Sequence, residues 1–325
     1  MRKTAFAFLL AFGTMSAGSV PGALAMDVTQ IGSQIILSGR VVGTEPDEVL
    51  RLLNNAPEID TVILRNSPGG HILTGYRLGE LFRARALRTA VSGYCFSSCS
   101  RMFLGGKQRY FTDDYPPQYT RVGFHGHYDD RGDLVPRQIE RFRLKDWIVK
   151  YSDGKADAAL VDRWIRIPRN IGLIHFYHPG RFERHGASTF MCQGDEPMAS
   201  AVWGCEPITR TALDLGVVTS LTLLKSNDQA DIRAGIPDVP PSSAYAEIDD
   251  LTKVPLTGAN WQEEYRRFLA AWLPKAIAVA PDGKFWAWNA GDFDAMRQAL
   301  SRCSQRSKQT CTLYAVDNDV VFVKR

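Results

Sequence analysis

Two short stretches, each lying between a predicted strand and a predicted helix, constrain most strongly what this chain can fold into. The first, Ser67-Pro-Gly-Gly70, sharply breaks the apolar strand Thr61–Leu64, because proline fixes φ and paired glycines adopt conformations closed to other residues. The second, Cys95-Phe-Ser-Ser-Cys99, follows the short strand Thr89–Ser92. Each stretch is followed by a run that is predicted to be helical. The chain therefore runs twice from strand through turn to helix, and both turns bring backbone N–H groups to the sheet edge where open α/β proteins bind ligands.

Four features of the sequence resemble the Clp-protease/crotonase superfamily, and within it the Clp-like serine peptidases. The matching segments are Asn66–Gly70 as the oxyanion loop, Ser97 with Gly105-Gly106 as the nucleophile and its trailing glycines, Arg121–His125 as the strand that delivers the catalytic histidine, and Thr211–Val218 as the closing helix-turn-strand. Together they cover roughly residues 34–224. The resemblance implies a crotonase/Clp-like ββα-spiral domain of the α/β class and serine-hydrolase chemistry without a cofactor.

The resemblance also implies a role for each residue of the site. Ser97 is the expected nucleophile and His125 the expected base, since a serine hydroxyl is a weak nucleophile until a positioned base takes its proton. The backbone N–H groups of Gly70 and Ser98 are the expected oxyanion hole, the second at the start of a helix whose dipole favours negative charge. Asn170 lies roughly where the family has its acidic residue, and it is the candidate for orienting the histidine.

Several alternatives stay open from the residues alone. Ser97 could serve only as a helix N-cap, and Ser98 is the alternative register for the nucleophile. His127 lies two residues after His125, on the same strand face, so strand geometry does not separate the two.

The residue that orients the histidine is open as well, because Asp162 and Asp195 are alternatives to Asn170. The family's usual Ser-Met-Gly is replaced here by Ser97-Ser98-Cys99. A disulfide at this turn would suit an active enzyme and equally a site that has lost its activity.

The N-terminus predicts a secretory signal peptide over residues 1–25. Arg2-Lys3 supplies the positive region, Ala5–Phe12 the apolar region, and Ala23-Leu-Ala25 a small-x-small cleavage site. The apolar run is shorter than the ~20 residues that a membrane span needs. The mature protein is therefore expected to be periplasmic or secreted, with no membrane span after cleavage.

Six cysteines on an exported chain indicate disulfides, because that compartment is oxidising. They form three local couples, Cys95/Cys99, Cys192/Cys205 and Cys303/Cys311, although six cysteines allow about 15 connectivities. Zinc is the competing interpretation, but no C-x-x-C spacing is present. His175 and His178 form an i, i+3 couple without a third ligand at a regular spacing, so no metal site is predicted.

The charge argues against nucleic acid and against an anionic membrane surface as partners. Loss of Arg2 and Lys3 with the signal peptide lowers the formal net charge from +4 to +2, which is close to neutral. The expected partner is a peptide or protein substrate. Self-association into a homo-oligomer is expected by analogy with crotonase-type folds.

The sequence predicts two folded parts. Residues 26–225 form the Clp/crotonase-like domain, residues 226–258 a polar linker that includes Pro237, Pro240 and Pro241, and residues 259–325 a small β-hairpin-α-β module. Within the module, Trp286 and Trp288 share a strand face, which suits either a carbohydrate platform or, more commonly, a small core.

Four further elements are predicted in the larger domain. Residues 46–55 form a helix with Thr44 as its N-cap, residues 134–151 one long amphipathic helix, and residues 156–165 a second helix. Residues 178–206 form an irregular insertion near the site.

Three functions are compatible with these features. The first is an exported, ATP-independent serine hydrolase of the peptidase type. The second is a catalytically inactive Clp/crotonase-like protein that binds or scaffolds in the cell envelope. The third, acyl-CoA chemistry, is disfavoured because CoA thioesters are not expected outside the cytoplasm.

Overall fold

The structure, a computed structural model, describes residues 25–196, 202, 204–234, 237–271, 273–291 and 294–323. The predicted signal peptide, residues 1–25, lies outside the described residues apart from Ala25. Within the described part of the chain, no helix combines the length and the apolar composition needed to cross a membrane.

Strands and helices alternate along the first half of the chain. The strands are β1 (Asp27–Ile31), β2 (Gln34–Ser38), β3 (Thr61–Ser67), β4 (Arg88–Phe96), β5 (Gln108–Phe111), β6 (Arg121–Phe124), β7 (Ile174–Tyr177), β8 (Thr189–Met191), β9 (Glu206–Ile208), β10 (Lys275–Val279), β11 (Trp286–Ala290), β12 (Thr312–Val316) and β13 (Asp319–Val320). The helices are α1 (Glu45–Asn55), α2 (Ile72–Ala84), α3 (Ser98–Gly105), α4 (Pro136–Arg141), α5 (Leu144–Tyr151), α6 (Ala158–Trp164), α7 (Gln229–Ala234), α8 (Trp261–Ala270) and α9 (Ala295–Ser307). They form a mixed α/β protein with one large mixed sheet and one small antiparallel sheet, which confirms the predicted class.

The large sheet brings the ends of three strands to one edge. Its order is β1-β2-β3-β4-β6-β7-β8-β9, with β5 also paired to β4. Strand β4 is parallel to β5 along Arg88–Val91 and parallel to β6 along Tyr94–Phe96. Because β3, β4 and β6 are parallel, the residues that follow them meet at the same edge. These residues are the Gly-Gly loop, the Ser-Ser turn and His125.

Helices α2 and α3 pack unusually close together because glycines face each other. A Cβ on Gly75 would lie 2.5 Å from the Ser98 carbonyl oxygen, and one on Gly105 would lie 2.2 Å from the Gly79 carbonyl oxygen. Distances under about 3 Å are not tolerated by real side chains. Gly75 and Gly79 are four residues apart and so lie on one helix face. This face fixes the start of α3, and with it the turn that carries Ser97.

One local prediction is wrong, and another is confirmed in position only. The single helix expected over residues 134–151 is two helices, α4 and α5, which separate at Arg143 with φ +48° in the left-handed conformation. At the break, the Phe142 ring stacks on Tyr76 and on His127. Thr44 occupies the N-cap position of α1 without a side-chain cap, and the buried Glu45 carboxylate instead accepts from the N–H groups of Val42 and Gly43 at 2.6 and 2.7 Å.

The insertion and the closing segment also differ from expectation. Residues 178–206 are not wholly irregular, since they include β8, which pairs with β7. The Cys192–Cys205 disulfide pins this segment, and residues 197–201 and 203 lie outside the described residues. Thr211–Val218 is a series of turns rather than helix and strand. The carbonyls of Gly216 and Val217 accept from the buried Arg109 guanidinium at 2.9 and 3.1 Å, which holds the turns against the sheet.

The small sheet has the order β11-β10-β12-β13 and is antiparallel throughout. Helix α8, which the sequence analysis did not predict, packs its Tyr265 and Phe268 into the core of this sheet. Ile248, Val254 and Leu256, from the predicted linker, are buried in the same core. Trp286 and Trp288 are partly buried and pack against it. The second half of the linker is therefore part of the small core.

Two buried polar contacts join the small sheet and the linker to the large sheet. Arg65 at the end of β3 donates to the carboxylate of Asp228 at 2.6 and 2.8 Å, next to Asp114 at 3.3 Å. The buried Tyr119 hydroxyl donates to the carboxylate of Asp317, which also accepts from the Lys275 N–H at 3.0 Å. The domain boundaries at residues 225 and 258 remain predictions. The contact between Arg65 and Asp228 crosses the first of them, and the contact between Tyr119 and Asp317 crosses both.

Candidate functional site

Ser97 lies in a strained turn between β4 and α3. Its backbone has φ +57° and ψ −121°, a conformation that costs a side-chain-bearing residue energy. The Ser97 N–H donates to the Gly123 carbonyl at 3.1 Å, and the Cys95–Cys99 disulfide brackets the turn with Cα atoms 5.3 Å apart. A strained strand-to-helix turn that exposes a serine hydroxyl is the geometry of the nucleophile elbow in hydrolases.

The environments of the two serines distinguish between the two registers. Ser97 is half-buried and lines a cleft at this edge of the sheet. Ser98 is fully buried against Gly75, and its hydroxyl has no hydrogen-bond partner among the described residues. As the first residue of α3, Ser98 has a backbone N–H without an acceptor inside the helix. This geometry favours the hydroxyl of Ser97 as the candidate nucleophile and leaves only the backbone N–H of Ser98 for contact with a substrate.

The Gly-Gly loop points a second N–H group away from Val41, the residue with which the loop pairs. The Val41 N–H donates to the Gly69 carbonyl at 2.9 Å, and the His71 N–H donates to the Val41 carbonyl at 2.9 Å. In a trans peptide the carbonyl and the following N–H point in opposite directions, so the Gly70 N–H points away from Val41. Gly69 has φ +85°, and a Cβ there would lie 2.7 Å from the Ser97 Cβ. The loop is therefore in direct contact with the elbow.

His125 follows β6 directly and faces the same cleft as Ser97. Its Nδ1 lies 3.2 Å from the Gly172 carbonyl oxygen. A carbonyl only accepts, so Nδ1 carries the hydrogen and Nε2 is left with a lone pair. Burial, together with the positive charge of Arg101, lowers the pKa of His125 to about 3. The imidazole is therefore neutral near pH 7, in the tautomer that a proton acceptor requires.

His127 is held differently. Its Nε2 is 3.0 Å from the Tyr76 hydroxyl, and its ring stacks on Phe142. Burial and the Arg101 charge lower the pKa of His127 to about 2. Since Nε2 is engaged by Tyr76, His127 is less free than His125 to accept a proton from Ser97.

The loop that carries Asn170, the predicted third residue, reaches His125 through a backbone carbonyl rather than through the Asn170 side chain. Asn170 lines the cleft, and its side chain lies against Gly132, since a Cβ on that glycine would be 2.7 Å from the Asn170 amide nitrogen. The group on His125 Nδ1 is the Gly172 carbonyl, two residues later. Asp162 forms an ion pair with Lys145, and Asp195 is exposed. Among the described residues, no carboxylate is bonded to His125.

Arg101 completes the inner wall of the cleft. It lies four residues after Ser97, one helical turn along α3, and only 2% of it is exposed. Its Nη2 contacts the carbonyls of His125 and Gly126 at 3.4 Å, and the guanidinium lies 5.4 Å from the centre of the Tyr76 ring. The sequence analysis did not single out Arg101, although its i+4 spacing from the predicted nucleophile is a signal that could have done so.

The cleft itself is open and polar, with a volume of about 860 Å³. Exposed Arg40 and Arg141 add positive charge to its walls, and Asp129 and Asp130 add negative charge. The carboxylate of Asp129 is used locally, since it accepts from the N–H groups of Arg131 and Asp133 at 2.9 and 3.0 Å.

All six cysteines are in the three predicted couples, bonded as Cys95–Cys99, Cys192–Cys205 and Cys303–Cys311. The histidines weighed as a metal couple have other contacts. The His178 Nε2 lies 2.8 Å from the Leu221 carbonyl oxygen, and the buried His175 ring packs edge-on against Phe96. In the described residues, no group of three or more acidic, histidine or cysteine side chains could hold a metal ion.

No family model matches the sequence. No curated protein matches it either. Among solved structures, the fold is similar to that of ClpP1 from Listeria monocytogenes, with a TM-score of 0.36, 13% identity, and coverage of 61% of this chain and 94% of that chain. A point mutant of the same protein gives a TM-score of 0.38, 14% identity and the same coverage. Similarity of this degree assigns no activity, so the relationship to the Clp-like peptidases stays a prediction.

Proposed function

We propose that this chain is an exported serine hydrolase that acts on peptides without ATP. The observation that carries the proposal is the backbone of Ser97, a positive-φ elbow that presents a hydroxyl to the cleft it shares with His125. A simple helix N-cap needs no such strain, because cap residues have ordinary extended backbones. Three disulfides support the export part of the proposal, since disulfides persist in oxidising compartments.

In the proposed reaction, the substrate carbonyl enters between the Gly-Gly loop and the elbow. His125 takes the Ser97 proton on Nε2 while Ser97 Oγ bonds to the carbonyl carbon, and the Gly172 carbonyl keeps the imidazole in the required tautomer. The leaving amine takes that proton from His125. Water then attacks the acyl carbon and gives a proton to His125. The bond between this carbon and Ser97 Oγ breaks, Ser97 takes the proton back from His125, and the acid is released.

The N–H groups of Gly70 and Ser98 would receive the oxyanion. Both are backbone donors fixed by neighbouring contacts, so they need no reorganisation when charge develops. Loss of one such donor typically costs ~2.7–4 kcal/mol of transition-state stabilisation.

A fluorophosphonate probe, which phosphonylates activated serines, tests this proposal. We expect the wild-type protein to label, and Ser97→Ala to remain folded and not label. Ser98→Ala is the matched control, and it should label normally because only its backbone N–H is used. Labelling of Ser97→Ala together with its loss in Ser98→Ala would place the nucleophile one residue later.

A second variant pair tests the base. His125→Gln should not label, because an amide cannot take the proton. His127→Gln should label, because Gln can still accept a hydrogen bond from the Tyr76 hydroxyl. The opposite result would assign the base to His127.

The rival proposal is an inactive binding protein of the cell envelope. The observation that favours it is the pairing of a carbonyl, rather than a carboxylate, with His125 among the described residues. A wild-type protein that neither labels nor hydrolyses a pool of peptides and esters would support the rival.

A further inference from the structure

Arg101 is a buried charge without the partner that a buried charge ordinarily has. Removing a guanidinium from water is costly unless hydrogen bonds and an opposite charge compensate. Here two carbonyl contacts lie at 3.4 Å, at the outer limit of a hydrogen bond, and the Nε has no partner among the described residues.

Two of the other three buried arginines of the described residues have an opposite charge beside them. The third, Arg121, shares the unpartnered Nε of Arg101 but has a short hydrogen bond in its place. Arg65 has the carboxylates of Asp228 and Asp114, and Arg109 has Asp153 at 3.1 Å together with three carbonyls. Arg121 donates to the Tyr177 hydroxyl at 2.6 Å and lies between two aromatic rings. Among the four, Arg101 has the weakest set of acceptors, and it borders the open cleft.

The surroundings of Arg101 do not supply the missing anion. Among the described residues, no carboxylate forms an ion pair with it, and the carboxylate of Asp129 is bonded within its own loop. The lining of the cleft has three arginines against two aspartates, so with Arg101 counted it carries an excess of one positive charge, which attracts a negative group.

We infer that Arg101 receives a carboxylate of the substrate, close to the bond that Ser97 attacks. The inference rests on the proposed function, and it specifies the substrate class: esters or amides whose acyl part carries a second, ionised carboxyl group. Guanidinium and carboxylate form paired N–H···O bonds, which supply both affinity and orientation. The bound anion would also offset the Arg101 charge that disfavours protonation of His125, so the correct substrate makes the base stronger.

Two esters of matched length test the inference: mono-p-nitrophenyl adipate, which ends in a carboxylate, and p-nitrophenyl hexanoate, which ends in a methyl group. Ser97 displaces p-nitrophenolate, and water then releases the acid. Ser97→Ala protein is the blank for spontaneous hydrolysis. We expect kcat/KM to favour the adipate ester by roughly 10–100-fold, the range for a hydrogen bond to a charged group.

Arg101→Met should lose most of this preference, measured as the ratio of the two kcat/KM values within the variant, because a change in the His125 base affects both esters alike. Thermal unfolding checks that the variant is folded. If Arg101→Met does not fold, a protection experiment with the wild-type protein tests the inference instead. Adipamate, the monoamide of adipic acid, should protect Ser97 from the fluorophosphonate probe, and hexanamide should not. Equal rates for the two esters, or equal protection, would overturn the inference and leave the hydrolase proposal intact.

A binding measurement separates the two proposals. Calorimetry with Ser97→Ala protein should detect adipamate and not hexanamide. Binding of adipamate that disappears in Ser97→Ala/Arg101→Met, in a protein that hydrolyses neither ester, would support the anion site and overturn the hydrolase. No binding of adipamate and no preference between the esters would overturn the inference.

Discussion

At the scale of single residues, the site depends on backbone positions that few side chains can occupy. Ser97 carries a side chain at φ +57°, and Gly69 and Gly70 have φ +85° and +144° in the loop that faces it. The Gly69 Cα lies so close to the elbow that a Cβ would be 2.5 Å from the Phe96 carbonyl oxygen. The oxyanion loop and the nucleophile turn therefore fit together only if residue 69 has no side chain.

Gly69→Ala tests this fit, and Gly180→Ala is its matched control. The two glycines have nearly equal φ values, +85° and +80°, but nothing lies within 4 Å of a Cβ at Gly180. Both substitutions should cost ~1–2 kcal/mol for the left-handed backbone. Gly69→Ala should cost ~1–3 kcal/mol more from overpacking and should lose fluorophosphonate labelling. Urea unfolding and labelling measure the two effects, and equal behaviour of the two variants would contradict the contact.

At the scale of elements, α3 is held at both of its sides. The Cys95–Cys99 bridge joins the end of β4 to the first turn of α3, and the glycine face of α2 receives the rest of the helix. The bridge spans the one residue in the turn with an unfavourable backbone. Its position indicates that it keeps Ser97 in the elbow conformation.

Removing the Cys95–Cys99 bridge should therefore lower the rate of fluorophosphonate labelling even in variant protein that remains folded. In Cys95→Ala/Cys99→Ala, release of ~1–2 kcal/mol of backbone strain would depopulate the elbow by about tenfold, with a matching fall in labelling rate. Cys303→Ala/Cys311→Ala removes a bridge in the small sheet and should label at the wild-type rate. A normal labelling rate in the first variant, measured on folded protein, would count against the bracing role.

The same elements show what could be predicted from sequence. The two turns were predictable because proline, paired glycines and close cysteines have local chemical consequences that survive in any context. The break at Arg143 was not, since a left-handed arginine has no local signature and forms because Phe142 packs on Tyr76 and His127. The hydrogen-bond partner of His125 Nδ1 could not be predicted either. Every residue has a backbone carbonyl, and only the folded loop brings that of Gly172 to the ring.

At the scale of the whole molecule, the buried histidines connect the site to stability. His125, His127 and His175 are each less than a tenth exposed. Burial lowers the pKa of the first two to about 3 and about 2, and that of His175 well below its ordinary value. In the unfolded chain, each should titrate near pH 6.5.

The protein should therefore lose stability as the pH falls below about 6.5. The folded pKa values are lower than the unfolded ones, so below that pH the unfolded state binds more protons and is favoured. Each histidine costs up to ~1.4 kcal/mol per pH unit between the two values. Urea unfolding at about pH 7.5 and about pH 5 measures the loss, and a constant free energy of unfolding between them would contradict it.

The two buried polar contacts, between Arg65 and Asp228 and between Tyr119 and Asp317, limit what a shortened fragment of the chain can show. Tyr119 precedes β6 by two residues and His125 by six, and its hydroxyl is bonded to Asp317 near the far end of the chain. A fragment that ends at residue 225 would lose Asp317, and it would lose Asp228 from the buried guanidinium of Arg65. It would also lose Leu273, against which Tyr119 packs, and so expose Tyr119 at one end of the strand that leads to His125. Inactivity of such a fragment would therefore say nothing about whether the small sheet takes part in the chemistry.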